Sequence, residues 1–204
     1  MNINIISYNV NGLNKPIKRS KVLSQMKHEG GDIVFMQETN MSKMEHEKLA
    51  KLFDAQVFYS SHHSSRRGVI TLIRNHIPYE VEDVVCDKDG RQVLTEGKTD
   101  ADYITLLNIY NRPDEGPSTI EKIIHLVTVQ SKGVIVLGGD FNLLMNEKWI
   151  LKVAQSTLNP TQKDYTYYSP GNYSRLDYFF VFFPVPQVQY PASTWCATSS
   201  SLFV

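Results

Sequence analysis

Short apolar runs alternate with amphipathic stretches along most of the chain. Ile3 to Tyr8 is an apolar, β-branched run that predicts a buried strand, and Asn9-Val10-Asn11-Gly12 ends it as a turn. Pro16 then occupies a first helical position, and Ile17, Val22, Leu23 and Met26 give one apolar stripe up to Gly30-Gly31. Ile33 to Met36 predicts a second buried strand that delivers Gln37-Glu38-Thr39 at its end. A charged helix is expected from about Ser42 to Phe53. Val69–Ile73, Val81–Val85, Gln92–Thr95 and Tyr103–Tyr110 read as further strands.

Asp87-Lys88-Asp89-Gly90 makes a hairpin turn between two of those strands. Its acidic spacing suggests a calcium loop only superficially, because the later acidic ligands of such a loop are absent. Ser118 and Glu121 have capping-box spacing, with Ile120, Ile123, Ile124 and Val127 as the helical face behind them. The apolar run Val134 to Leu137 ends in Gly138-Gly139-Asp140-Phe141-Asn142. Residues 147–158 fit one short helix stopped by Asn159-Pro160, and Tyr165–Tyr168 with Leu176–Val181 reads as a final hairpin. Interleaved strands and helices predict an α/β sandwich rather than a bundle or barrel.

Two hundred and four residues suffice for one domain with a sizeable core. Lys plus Arg and Asp plus Glu both count 21, so a nucleic-acid partner must be gripped by a local patch and not by a globally basic surface. Cys86 and Cys196 are the only cysteines, which argues against a disulfide scaffold or zinc site and fits a reducing compartment. No signal peptide opens the chain and no apolar run approaches a membrane span. A soluble intracellular protein is expected, nuclear or cytoplasmic alike, with no membrane partner. From Tyr178 to Val204 there is no charged residue. Pro184, Pro186 and Pro191 forbid a continuous helix there, so an irregular or frayed end is expected.

Polar groups gather where the apolar runs end. Asn9 and Asn11 end the first, Glu38 the second, Tyr110 a third, and Asp140 and Asn142 a fourth, while Asp177 lies in the final hairpin. In extended chain, positions i and i+2 share a face, so Asp140 and Asn142 are expected side by side. Mg²⁺ takes oxygen ligands and keeps several waters, so one or two carboxylates plus a substrate phosphate suffice, and Glu38 and Asp140 meet that need. Asn9 and Asn142 can orient a water or a phosphate oxygen without adding repulsive charge. Singly, an Asn before Gly is usually a turn and a strand-terminal Glu is usually solvated. Their joint occurrence at this many strand ends carries the functional reading.

The stretches SYNVNGLN at 7–14, QET at 37–39, NIY at 108–110, GGDFN at 138–142 and YSRLDYFF at 173–180 resemble the endonuclease/exonuclease/phosphatase superfamily. The branch they most resemble is the apurinic-type endonuclease domain of LINE-type non-LTR retrotransposons. The resemblance implies a four-layer α/β sandwich of two mixed sheets flanked by helices, hydrolysing DNA phosphodiesters with Mg²⁺, or with Mn²⁺ in its place. It implies that Glu38 holds the metal with Asn11 near it, and that Asp140 orients or deprotonates the attacking water. Asn9 and Asn142 would position water and phosphate, and Tyr110 would touch the scissile phosphate. Asp177 would match the carboxylate that steadies a histidine, and Thr166, Ser174 and Arg175 would contact substrate.

The chain departs from that pattern at its end. The family closes with a Ser-Asp-His cluster on a last core strand, whereas all six histidines here (28, 46, 62, 63, 76 and 125) precede Asp140. His62 and His63 sit in a Ser-rich stretch that reads as a surface loop. The expectation is therefore a domain over 1–181, shortened around 143–158, missing its final core strand and followed by a divergent uncharged tail over 182–204. A missing strand would leave a sheet edge uncovered. Tyr110 is followed by Asn111-Arg112-Pro113 where the family has Ala-Pro-Asn. Three readings follow: a monomeric, impaired Mg²⁺-dependent DNA endonuclease whose DNA binding is weak or lost, a catalytically inactive remnant that binds nucleic acid weakly at most, and a phosphatase or phosphodiesterase acting on small or lipid phosphoesters.

Overall fold

The computed structural model describes residues 3–62, 66–100, 102–112, 122–123, 125–127, 129, 131–142, 167–169, 172–174, 177–182 and 195–199. In chain order the elements are β1 (Ile3–Asn9), α1 (Pro16–His28), β2 (Ile33–Gln37), α2 (Lys43–Phe53), β3 (Ala55–Ser60), β4 (Val69–Arg74), β5 (Glu80–Cys86), β6 (Gln92–Lys98) and β7 (Tyr103–Tyr110). They continue with β8 (Val134–Asp140), β9 (Tyr167–Ser169), β10 (Asn172–Ser174), β11 (Asp177–Phe182) and β12 (Trp195–Ser199). One sheet has the order β12-β1-β2-β4-β3 and the other β11-β8-β7-β6-β5, with β9 and β10 paired by themselves.

Period-2 alternation sorts each central strand between two environments. Ile3, Ile5, Ile33, Phe35, Ile104, Leu106, Val134 and Val136 face the gap between the sheets and form one core. Ile6, Tyr8, Val34 and Met36 face the other way, against Val22, Leu23 and Met26 of α1 and Leu49 and Phe53 of α2. On the second sheet Leu107, Ile109 and Leu137 pack outward against Ile123 and Val127, which lie on a helical segment. The result is helix, sheet, sheet, helix: the four-layer sandwich expected from the sequence. No helix among the described residues is long and apolar enough to cross a membrane.

Local signals explain the helix boundaries. Pro16 opens α1, and the Ser42 side chain caps α2 by accepting from the Glu45 backbone N–H. Ile17, expected on the apolar stripe of α1, is 76% exposed. Five residues before Val22 it sits about 140° round the helix, and Arg19 takes the buried place instead. Arg19 Nε donates to the Leu13 carbonyl at 3.0 Å and its guanidinium pairs with Glu45.

Three further departures concern the strands. Ala55–Ser60 pairs antiparallel with β4, a strand that the sequence pattern did not predict. Among the described residues, Tyr167–Ser169 and Asp177–Phe182 do not pair with each other as the expected hairpin over 165–168 and 176–181 would. Instead β9 pairs with β10, and β11 runs antiparallel to β8. Phe179 packs into the inter-sheet core and Phe180 into the outer one, so β11 is apolar on both faces and suits an interior place. The tail also departs from a frayed end: Trp195–Ser199 pairs in parallel with Ile3–Ser7. The β1 edge that a missing final core strand would leave open is thus covered by β12, whose uncharged sequence can lie against a row of unpaired backbone groups. The expected capping box at Ser118 and Glu121 and the expected helix over 147–158 lie outside the described residues.

Candidate active site

Side chains facing the gap between the sheets change character in steps along the strands. Ile5, Phe35, Leu106 and Val136 are apolar. Two residues further on come Ser7, Gln37, Asn108 and Gly138, all buried. Two further still, β1, β7 and β8 end in Asn9, Tyr110 and Asp140. The strand ends of both sheets therefore converge on one polar patch.

Asn9 is the hub of this patch. Its amide nitrogen donates to Glu38 Oε1 at 2.9 Å and to Asp140 Oδ2 at 2.8 Å, while its carbonyl oxygen accepts from the Asn11 backbone N–H at 3.1 Å. Alternation alone would send Glu38 to the face opposite Gln37. Glu38 instead has φ +54, a left-handed conformation that breaks the alternation and that a glutamate rarely adopts. Backbone bonds hold it there: Gly12 N–H donates to the Glu38 carbonyl at 2.7 Å, and Thr39 N–H donates to the Gly68 carbonyl at 3.0 Å. Strain of this kind, costing about 1–3 kcal/mol, is characteristic of functional sites.

Tyr110 hydrogen-bonds Glu38 through its side chain. Burial, the Glu38 charge and that hydrogen bond together hold its hydroxyl in the protonated form, well above the usual tyrosine range. Asp140 Oδ1 accepts from the Asn142 backbone N–H at 3.0 Å, in an Asx-type turn. Asn142 does not share a face with Asp140 by strand alternation, because β8 ends at Asp140 and Asn142 is left-handed with φ +48. Its side chain is aimed instead by Asn111, whose carbonyl accepts from Asn142 Nδ2 at 2.7 Å. Asn111 is fully buried and also donates to the Asp140 and Phe141 carbonyls.

Gly139 makes the approach of β7 to β8 possible. It has φ +136, and a Cβ there would lie 2.0 Å from the Ile109 carbonyl oxygen. The two glycines before Asp140 thus serve close packing and backbone conformation as well as the turn.

Of the other expected site residues, Asn11 is exposed and contributes its backbone N–H to Asn9. Asp177 lies directly opposite Asp140 in the β11–β8 ladder. Ser174 ends β10, while Thr166 and Arg175 fall outside the described residues. His62 is exposed, as a surface-loop residue should be. A cleft of about 330 Å³ opens beside Tyr110, lined by Arg91, Lys122 and His125 and also by Asp87 and Asp89. Asp87 is already engaged, accepting from Ser60 Oγ and from the backbone N–H groups of Arg91 and Gln92.

Sequence reasoning did not single out the groups behind the site. Gln37 and Asn108 bridge the sheets, and His46 sits fully buried with Nε2 3.2 Å from Thr39 Oγ1 and its ring stacked on Tyr59. Burial, reinforced by the nearby Arg19 charge, pushes the His46 pKa down to about 4, so the ring is neutral at ordinary pH. The available signal was polarity at strand positions whose neighbours two residues away are core.

The donor set of the patch is oxygen only, two carboxylates joined through one amide, which matches a hard cation that needs one or two protein carboxylates. Among the described residues no group of three or more His, Cys, Asp or Glu side chains gathers to hold a metal by protein ligands alone.

The family model for the endonuclease/exonuclease/phosphatase family matches residues 6–188. The chain belongs to that family. The chain is similar to the transposon TX1 uncharacterized 149 kDa protein of Xenopus laevis, 25% identical over 152 residues. That match covers 72% of this chain and only 12% of the relative. In fold, this family member is similar to D. rerio TDP2 complexed with single strand DNA product, with TM-score 0.64 and 17% identity over 89% of this chain and 84% of the other. It is likewise similar to the endonuclease domain of TRAS1, a telomere-specific non-LTR retrotransposon, with TM-score 0.59 and 16% identity over 86% and 83% of the two chains.

Proposed function

We propose that this chain hydrolyses DNA phosphodiesters with Mg²⁺, slowly, as an endonuclease of retrotransposon origin. The observation that carries the reading is the Asn9 amide shared by Glu38 and Asp140 at the mouth of two sheets. One shared donor holds together two carboxylates that would otherwise repel, an arrangement suited to a cation and a phosphate. The transposon relative and the DNA-bound solved relative support the substrate class.

Glu38 would hold the cation, with Asn11 at its side, and Mn²⁺ would serve in place of Mg²⁺. When bound, the cation supplies Lewis-acid polarisation of a phosphoryl oxygen. Asp140 would orient an attacking water and accept its proton, a reading supported by the way Asn9 and the Asn142 backbone N–H fix one oxygen each. Tyr110 keeps its proton and can donate to a phosphate oxygen. The cleft beside Tyr110 sets Arg91 and Lys122 against Asp87 and Asp89, so it adds little positive potential to a chain of zero net charge. With so few cations, affinity for DNA is weak and falls steeply with salt.

Slowness follows from what the last strand carries. β12 reads Trp-Cys-Ala-Thr-Ser, with neither imidazole nor carboxylate to offer the site. Losing one donor aimed at developing charge commonly costs about a hundredfold or more in rate. The same observation favours the second reading, a catalytically silent remnant that retains weak nucleic-acid binding. Conversion of supercoiled plasmid to nicked circles by the purified chain separates the two: slow, EDTA-sensitive nicking supports hydrolysis, and a salt-sensitive gel shift without turnover supports the remnant.

A further inference from the structure

Directly behind Asn9, Glu38, Tyr110 and Asp140 lies a polar layer in an otherwise apolar inter-sheet core. Gln37 on β2 is fully buried, and its Nε2 donates to Ser7 Oγ on β1 at 3.0 Å and to Asn108 Oδ1 on β7 at 2.8 Å. Asn108, also fully buried, returns the connection. Its Nδ2 donates to the Ile70 carbonyl on β4 at 2.7 Å and to the Met36 carbonyl on β2 at 3.3 Å. The orientations fix one another: Asn108 must turn its nitrogen to the two carbonyls, so it offers oxygen to Gln37, which must answer with nitrogen.

Gln37 precedes Glu38, Ser7 lies two residues before Asn9, and Asn108 lies two before Tyr110. One amide pair is thus coupled to all three strands that end in the site from β1, β2 and β7. We propose that the Gln37–Asn108 pair is a positioning device. It pins the two sheets in register, so that Glu38 and Asn9 on one sheet meet Tyr110 and Asp140 on the other at a set separation.

A purely structural role explains the arrangement less well. Gln37 Oε1 is buried with no hydrogen-bond partner among the described residues, and an unsatisfied buried acceptor costs stability. An apolar pair of similar volume in place of Gln37 and Asn108 would fill the same space without that cost. What it would lose is directionality. Apolar contacts let packed sheets slide by fractions of an ångström, whereas a pair of hydrogen bonds across the gap does not.

The proposal rests on the hydrolase reading only for its consequence in catalysis, so its test has a readout independent of turnover. Amide hydrogen exchange is measured on the full chain and on Gln37→Met, together with urea unfolding. The expected result is at least tenfold faster exchange at the Val10, Gly12, Leu13, Thr39 and Asn111 amides, which close the loops of the site. The amides of Asp32 and Thr99, bonded away from the site, keep their wild-type rates. Unchanged exchange at the site amides, or an equal rise everywhere, overturns the proposal. Should Gln37→Met fail to fold, Ser7→Ala removes one end of the link. It is expected to speed exchange at Val10, Gly12 and Leu13 but not at Asn111, and no change at those three amides overturns the proposal. In plasmid nicking Gln37→Met should lower kcat tenfold or more with KM for DNA unchanged, and a shift in KM alone counts against it. Wild-type protein that does not nick at all would refute the hydrolase reading, while the exchange pattern would still decide the positioning role.

Discussion

The side-chain amide of Asn9 donates to the carboxylate of Asp140 at 2.8 Å, across the gap between two sheets and 131 residues of chain. The same nitrogen reaches Glu38, so its loss leaves two carboxylates facing each other without a shared donor. Hydrogen bonds to charged groups contribute about 1.5–3 kcal/mol each. Asn9→Ala should therefore slow Mg²⁺-dependent nicking by tenfold or more. Asn9→Asp should do worse at low Mg²⁺, because it replaces the donor with a third negative charge. Thermal melting beside the nicking rate separates these effects from unfolding, and equal rates for wild type and Asn9→Ala would remove Asn9 from the mechanism.

Gly139 is a backbone position that does not tolerate a side chain. A Cβ there meets the Ile109 carbonyl oxygen at 2.0 Å, at a φ of +136 that L-residues avoid. Gly139→Ala should cost roughly 3 kcal/mol or more in urea unfolding, since neither backbone can yield without breaking the β7–β8 ladder. Gly138→Ala should cost less. Its Cβ would meet the Phe179 ring at 2.4 Å, a side chain that can turn away.

His46 gives the fold an acid sensitivity with a defined sign. Its pKa is depressed to about 4 in the folded chain, against 6.5 when exposed. Above pH 6.5 the ring is neutral in both states and adds no slope. As pH falls from 6.5 towards 4 the unfolded chain takes up a proton that the buried ring refuses, so stability falls through that window, by roughly 3 kcal/mol in all. Most carboxylates titrate below pH 5, so the useful comparison is between pH 6.5 and 5. There the urea midpoint of wild type should fall while that of His46→Leu stays nearly level, and parallel slopes would show that the ring is hydrated.

Tyr110 should act as a donor that never ionises in the working range. Burial and the Glu38 and Asp140 charges all raise its pKa, so the alkaline limb of a nicking profile should not reflect it up to pH 10. Tyr110→Phe should lower the rate about tenfold or more without lowering the melting temperature, in keeping with loss of one aimed hydrogen bond. An unchanged rate would assign Tyr110 to packing alone.

The positions of these groups were legible in the sequence to different depths. The ends of β1, β2, β7 and β8 could be read because apolar runs stop abruptly at Asn9, Glu38, Tyr110 and Asp140. The fold class followed from the interleaving of those runs with helical stripes. Asn142 was read through strand periodicity, which fails one residue past the strand, where a left-handed turn hands its side chain to Asn111. Glu38 shows the reverse case: its place depends on a positive φ that no local pattern announces, because loops 10–13 and 67–68 impose it through long-range backbone bonds. β11 was misassigned to a hairpin for a similar reason. Pairing with β8 rather than with a sequence neighbour is decided by where two apolar faces can be buried at once. Gln37 and Asn108 lie inside the QET and NIY stretches but had no role of their own in the sequence, because the bond between them exists only once two sheets face each other.

The most direct test of the account is plasmid nicking by wild type and Asp140→Asn at matched concentration, with Mg²⁺ and then with EDTA, after melting curves show both folded. Asp140→Asn keeps the volume of the side chain and removes its charge and its capacity to accept a proton. Slow nicking by wild type is expected, abolished by EDTA and reduced at least a hundredfold in Asp140→Asn. Nicking that survives the substitution, or a wild-type chain that never nicks at any Mg²⁺ concentration, would contradict the account.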